Sequence, residues 1–223
     1  MEHIIKIVLR DAADELHPKS GETKMEIKRV NVYKDSRFSE RALHQHGCFL
    51  VDDKPYEMII VSRSEAVITG ENPSCFLEVI KEFRLYAPFI TCFFDDKHQL
   101  ICEYPRADVF RVFLKQLQPS QFYVDEEKLK AIGDFVRSPE DIIVPVITCK
   151  DRYVSLDGHT RLYYACMHNW DYVYAMTDNE ENDWVMTFVN EANKRNIFEV
   201  KDMKVLNHEE YENKWISFCE NLL

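Results

Sequence analysis

The chain has 223 residues, 28 basic against 39 acidic side chains, and a formal net charge of −11, with enough apolar material for a packed core. No segment is a basic patch, and residues 171–223 carry five basic against twelve acidic side chains. Nucleic-acid binding draws on neutralised phosphates, so a DNA-partition or nuclease role is disfavoured. Seven cysteines, an odd number with no Cys-x-x-Cys pair, read as reduced thiols of a cytoplasmic protein, and no apolar run is long enough to make this a membrane protein.

Ile4, Ile5, Val8, Leu9, Ala12, Ala13 and Leu16 recur at helical spacing and predict an amphipathic helix over 1–16, followed by a loop at 17–22. Residues 25–33 read as a strand. Ser36 or Ser39 caps a helix over 40–45 that Gly47 ends. Strands at 48–51 and 56–61 flank a tight Asp52-Asp53-Lys54-Pro55 turn, and 66–69 follows after Arg63-Ser64-Glu65. Phe76, Val79, Ile80, Phe83 and Tyr86 form a helical stripe ended before Pro88. Residues 89–94 and 99–104 read as a second hairpin. The segment 1–104 is therefore expected to be an α+β unit whose antiparallel sheet is covered by helices. His44 and His46 would point apart on a helix end, so no metal site is expected there. Pro105 marks the expected boundary with a second unit, 105–223.

In that second unit, 114–121 reads as a strand with a polar turn and 125–135 as a helix. Residues 142–147 and 153–156 form two short strands, and 159–168 a helix with Leu162, Ala165 and Cys166 on its apolar stripe. A strand at 172–176 follows. Trp184, Phe188, Ala192 and Arg195 lie on a helix preceded by the acidic cluster 178–183, whose carboxylates suit a helix N-terminus. Tyr211, Trp215, Phe218 and Leu222 lie on a final helix.

The chemistry concentrates at Leu156-Asp157-Gly158-His159-Thr160-Arg161. A turn that ends a strand and opens a helix leaves backbone N–H groups free, and with the helix dipole they attract an anion. Gly158 allows close backbone approach. Arg161 supplies a fork suited to phosphate or carboxylate, and His159 is the ionisable side chain nearest the opening. Asp157 either orients the loop by accepting N–H bonds or acts as a base or metal-side carboxylate.

These residues, in this order of strand, helix, strand, strand, turn and helix, resemble the phosphate-binding motif of the ParB/sulfiredoxin-like superfamily, over about a third of the chain from Val109 to Tyr174. The family implies a ParB/sulfiredoxin-like domain in the C-terminal half, with C-terminal helices. Sulfiredoxins place a catalytic Cys where His159 stands, so thiolate attack is not available at that position. ParB CTPases carry a further arginine-rich motif with no clear counterpart in this chain. The letters are most similar to Asp-Gly-His-His-Arg, seen in the small-molecule kinases of the superfamily that phosphorylate free serine; Thr160 replaces the second His. In those kinases a turn after the first strand carries a Glu as general base. The aligned turn reads Pro119-Ser120-Gln121, and Gln cannot take a proton.

The resemblance implies binding of a nucleotide or small phosphorylated ligand, ATP or ADP with Mg²⁺ among the candidates, with phosphoryl transfer or nucleotide hydrolysis as the associated chemistry. In that scheme Gly158, His159, Thr160 and Arg161, with Ser120 and Gln121 facing them, hold the ligand, and Asp157 or His159 handles protons or a divalent ion. The alternative is a non-catalytic regulatory or interaction module that keeps the fold, which Gln121 favours.

Overall fold

A computed structural model describes residues 25–178 and 184–222. The helix expected over 1–16 and most of the acidic stretch 178–183 lie outside the described residues. The chain is α+β, with helices and mixed sheets. Contacts divide it between Ala107 and Asp108, where the sequence suggested Pro105. Among the described residues no helix is long and apolar enough to cross a membrane.

The unit ending at Ala107 contains β1 (Ile27–Val30), α1 (Glu40–His44), β2 (Cys48–Val51), β3 (Lys54–Ile60), β4 (Glu65–Gly70), α2 (Phe76–Arg84), β5 (Cys92–Phe94) and β6 (Leu100–Glu103). The six strands lie side by side in chain order. Every neighbouring pair is antiparallel except β4 and β5, which run parallel. The expected antiparallel sheet is thus a mixed one: α2 carries the chain back from the end of β4 to the start of β5, and such a crossover delivers a parallel strand. Ser39, not Ser36, caps α1, accepting from the Ala42 N–H at 3.3 Å. Strand β2 is buried on both faces. Cys48 and Leu50 pack with Phe38, Ala42 and Leu43 of the α1 side, while the Phe49 ring meets Phe83 of α2 edge-on at 6.4 Å.

The unit from Asp108 contains β7 (Val109–Phe113), β8 (Leu117–Pro119), β9 (Tyr123–Asp125), α3 (Glu126–Ile132), β10 (Ile143–Cys149), β11 (Arg152–Ser155), α4 (His159–Met167), β12 (Tyr172–Thr177), α5 (Val185–Lys194), β13 (Lys204–Leu206), α6 (His208–Tyr211) and α7 (Ser217–Leu222). A π-turn, Glu212–Ile216, joins the last two helices. Five strands form a sheet in the order β7-β12-β10-β11-β8. The β10–β11 hairpin is antiparallel, whereas β8 joins β11 and β12 joins β10 in parallel. A separate two-stranded parallel ladder pairs β13 with β9. The strand and turn read at 114–121 contain β8, while β7, β9 and β13 were passed over.

The core follows from that topology. Val144 and Val146 of β10 and Val173 and Ala175 of β12 pack against Leu162 and Ala165 of α4. On a second cluster, Val154 and Leu156 meet Val185 and Val189 of α5. Phe122 and Trp215 pack edge-on at 4.6 Å. Full burial of one such side chain is worth about 1.5–3 kcal/mol, so these contacts fix where β8, β11 and α4 sit.

Candidate functional site

Parallel pairing of β8 with β11 sets Leu117 beside Tyr153, Gln118 beside Val154 and Pro119 beside Ser155. Both strands therefore end at the same edge of the sheet, and the turns that leave them, at Ser120 and at Asp157, meet there. In open sheets that edge is where ligands collect. The Ser120 hydroxyl donates to the Ser155 carbonyl at 2.8 Å. The Ser120 N–H donates to His159 Nε2 at 3.2 Å, and the Ser155 hydroxyl reaches the same nitrogen at 3.1 Å. A backbone N–H can only donate, so Nε2 is the bare nitrogen and the neutral ring carries its proton on Nδ1. His159 is 3% exposed. Burial pushes its imidazole down to about 3, outweighing Asp157 and the Ser155 carbonyl, which favour the charged form. His159 thus fastens the Ser120 turn to the start of α4.

The turn itself is built around Gly158. Its φ is +78°, and a Cβ added there would stand 2.6 Å from Val144 Cγ1 and 3.0 Å from Arg161 Nη2. Only glycine fits both the left-handed backbone and the space. Helix α4 begins with no side-chain cap. Among the described residues no acceptor meets the N–H groups of His159, Thr160 or Arg161, and the first bond of the helix runs from the Leu162 N–H to the Gly158 carbonyl at 2.9 Å. Thr160 is half-buried beside them.

Arg161 Nη1 donates to the Ile143 carbonyl at 3.2 Å. Its Nη2 stands 3.7 Å from Asp157 Oδ2, with 21% of the Arg161 and 44% of the Asp157 side chain exposed. Solvent screens such a pair, and its contribution is about 0–1 kcal/mol. Surrounding chain works against ionisation of Asp157, but the Arg161 guanidinium and the Gly158 N–H outweigh it and hold the carboxyl well below the usual range. The rest of the guanidinium fork remains unengaged among the described residues.

Two residues that sequence reasoning passed over belong to the same neighbourhood. Among the described residues Lys128 of α3 makes no ion pair or hydrogen bond, and its Nζ sits 5.0 Å over the ring of Tyr211. Burial lowers the Lys128 ammonium from its ordinary value, while Asp125 and Asp157 pull it back up. Asp125, fully buried, is already engaged: its Oδ1 caps α3 through the Glu127 N–H at 2.9 Å, and its Oδ2 meets His208 Nδ1 at 2.8 Å. Gln121 Nε2 donates to the Tyr123 carbonyl and, at 3.3 Å, to the Tyr211 hydroxyl. Gln121 therefore faces α6, and Ser120 alone of its turn touches the α4 start. The available signal was the Asp-x-x-Lys spacing, a capping Asp with a lysine one turn later. An ordinary exposed helix reads the same way.

No family model matches this chain, and no curated protein does. Among solved structures it is similar to protein Atu1540 from Agrobacterium tumefaciens, at 20% identity and a TM-score of 0.31, over 45% of this chain and 62% of that one. The match therefore spans less than two thirds of that protein, and at this score it carries no argument.

Proposed function

We propose that the Asp157–Arg161 turn binds a small phosphorylated ligand, a nucleotide being the leading class, in a domain arranged like the ParB/sulfiredoxin-like superfamily. One observation carries this reading: an uncapped helix start whose N–H groups meet no acceptor among the described residues, beside the Arg161 guanidinium, whose fork is largely unengaged among them. Backbone donors at a helix start and a guanidinium fork are the chemistry that holds a phosphate. The order β8, α3, β10, β11, turn, α4, with the short β9 between β8 and α3, supports the family likeness.

The same geometry favours binding over proton transfer. His159 is neutral, buried and already accepting two hydrogen bonds, and Gln121 has no proton-accepting group. Asp157 is the carboxylate left at the turn. Mg²⁺ is commonly held by one or two carboxylates together with ligand phosphates, so half-exposed Asp157 suits an ion carried in with a nucleotide. Phosphoryl transfer or hydrolysis would rest on Asp157 alone among these residues.

The test is a thermal-shift screen of the whole chain with nucleotides, with and without Mg²⁺. Stabilisation that Arg161→Ala removes supports the reading; no shift with any nucleotide refutes it and leaves the non-catalytic interaction module. Turnover of a labelled nucleotide, lost in Asp157→Asn, would add catalysis.

A further inference from the structure

We propose that Tyr211 is a ligand-contacting donor which, with Lys128, forms a second anionic lobe of this site, so that the preferred ligand carries two linked anionic groups, as a diphosphate does. The inference rests on the phosphate-binding reading and deepens it.

The Tyr211 oxygen accepts from Gln121 Nε2 at 3.3 Å. The same nitrogen also donates to the Tyr123 carbonyl, so Gln121 turns its NH₂, not its carbonyl, toward the phenol. The phenol hydrogen must then be donated elsewhere, and no described acceptor receives it. Tyr211 is only 4% exposed, and a buried tyrosine hydroxyl ordinarily finds an acceptor. Burial raises its pKa above the usual range, with Asp125 adding to that, so the group stays a donor at neutral pH.

Lys128 is in the same position. Its ammonium lies over the Tyr211 ring, with no carboxylate partner among the described residues. Its neighbour Asp125 is engaged by the Glu127 N–H and by His208. Ser120 binds His159 at the start of α4, the next residue, Gln121, binds the Tyr211 hydroxyl, and Lys128 lies over the Tyr211 ring, which puts both groups of donors in one neighbourhood. A phosphoryl group has three terminal oxygens, and the first-turn N–H groups of α4 with Arg161 would supply a donor to each of them. Lys128 and Tyr211 are surplus donors for a monophosphate. They become useful to a ligand with a second anionic group.

The experiment is calorimetric titration of the full chain with inorganic phosphate and with pyrophosphate, repeated for Tyr211→Phe and Lys128→Met. The expected result is tighter binding of pyrophosphate, with Tyr211→Phe weakening it on the order of tenfold, the effect of one charge-assisted hydrogen bond. Tyr211→Phe changes no charge, so it separates the lobe from a general preference for the more highly charged anion. Urea melts of each variant establish that it is folded. Equal affinity for the two anions in the parent chain overturns the inference, as does a folded Tyr211→Phe that keeps the full preference, while phosphate binding stands. If neither anion binds, the phosphate-binding reading has failed and takes this inference with it.

Discussion

Gly158→Ala isolates the physics of the turn. The residue sits at φ +78°, and an L side chain in left-handed backbone costs about 1–2 kcal/mol. The new methyl would also stand 2.6 Å from Val144 Cγ1, on a strand packed against α4, where overpacking costs about 1–3 kcal/mol. The sum is a destabilisation of roughly 2–5 kcal/mol. Urea denaturation read by tryptophan fluorescence suits the measurement, because Trp170, Trp184 and Trp215 all lie after Asp108. The midpoint should fall with the slope preserved. The Gly158→Ala/Val144→Ala double variant then separates the two costs. Removing Val144 Cγ1 relieves the clash but not the backbone strain, so the double variant should be less destabilised than the two singles added together, by about 1–3 kcal/mol. A Gly158→Ala protein within about 0.5 kcal/mol of the parent, or strict additivity in the double variant, would refute the account.

The remaining expectations concern neighbouring groups. His159→Leu leaves the buried Ser120 N–H without its acceptor and the Ser155 hydroxyl with only the long 3.5 Å contact to the Gln118 carbonyl, and should cost roughly 1–3 kcal/mol, measured by the same melts. Because His159 is depressed from 6.5 to about 3, its unfolded form takes the proton first; the parent's advantage over His159→Leu should be full above pH 6.5 and shrink as pH falls toward 3. His208 runs the other way. Its hydrogen bond to Asp125 raises it above 6.5, with burial opposing and Glu212 and Glu127 adding to the rise. The parent's advantage over His208→Gln should therefore be full below pH 6.5 and vanish as pH rises through the elevated value, read as the difference in Tm across a pH series. Asp125→Ala removes both the α3 cap and the His208 partner from a fully buried position, and should cost roughly 2–4 kcal/mol in urea.

The turn at 157–161 was legible because its signals are local. A β-branched hairpin, an Asp-Gly and an apolar stripe from Leu162 onward fix a strand-to-helix turn within a dozen or so residues. Ser39, one of the two serines offered as a cap, marks the start of α1 in the same way. The parallel step between β4 and β5 was not read, although 66–69, the Phe76 stripe and 89–94 together form a strand–helix–strand unit. The local hairpins on either side suggested an antiparallel sheet throughout. Strands β9 and β13 were invisible for a different reason. Three residues each, they are strands only because they pair with one another across the chain. Lys128 and Tyr211 share that difficulty: each sits unremarkably on its own helix. Their approach depends on the β9–β13 ladder and on Asp125 meeting His208, 83 positions apart. His159 shows the limit of local reading even within the motif. Its place at the helix opening suggested a proton carrier, but the long-range bond to Ser120 gives it a fastening role.

The β13–β9 ladder has a consequence for biosynthesis. Strand β9 is made early, yet its parallel partner and the helix bearing Tyr211 are made some eighty residues later. A ribosome adding about 5–20 residues per second would hold the nascent chain for several seconds with α3 and the 157–161 turn translated but Tyr211 still missing. Any ligand requiring both halves would be ignored by the growing polypeptide and recognised only once residues 204–211 had emerged from the exit tunnel.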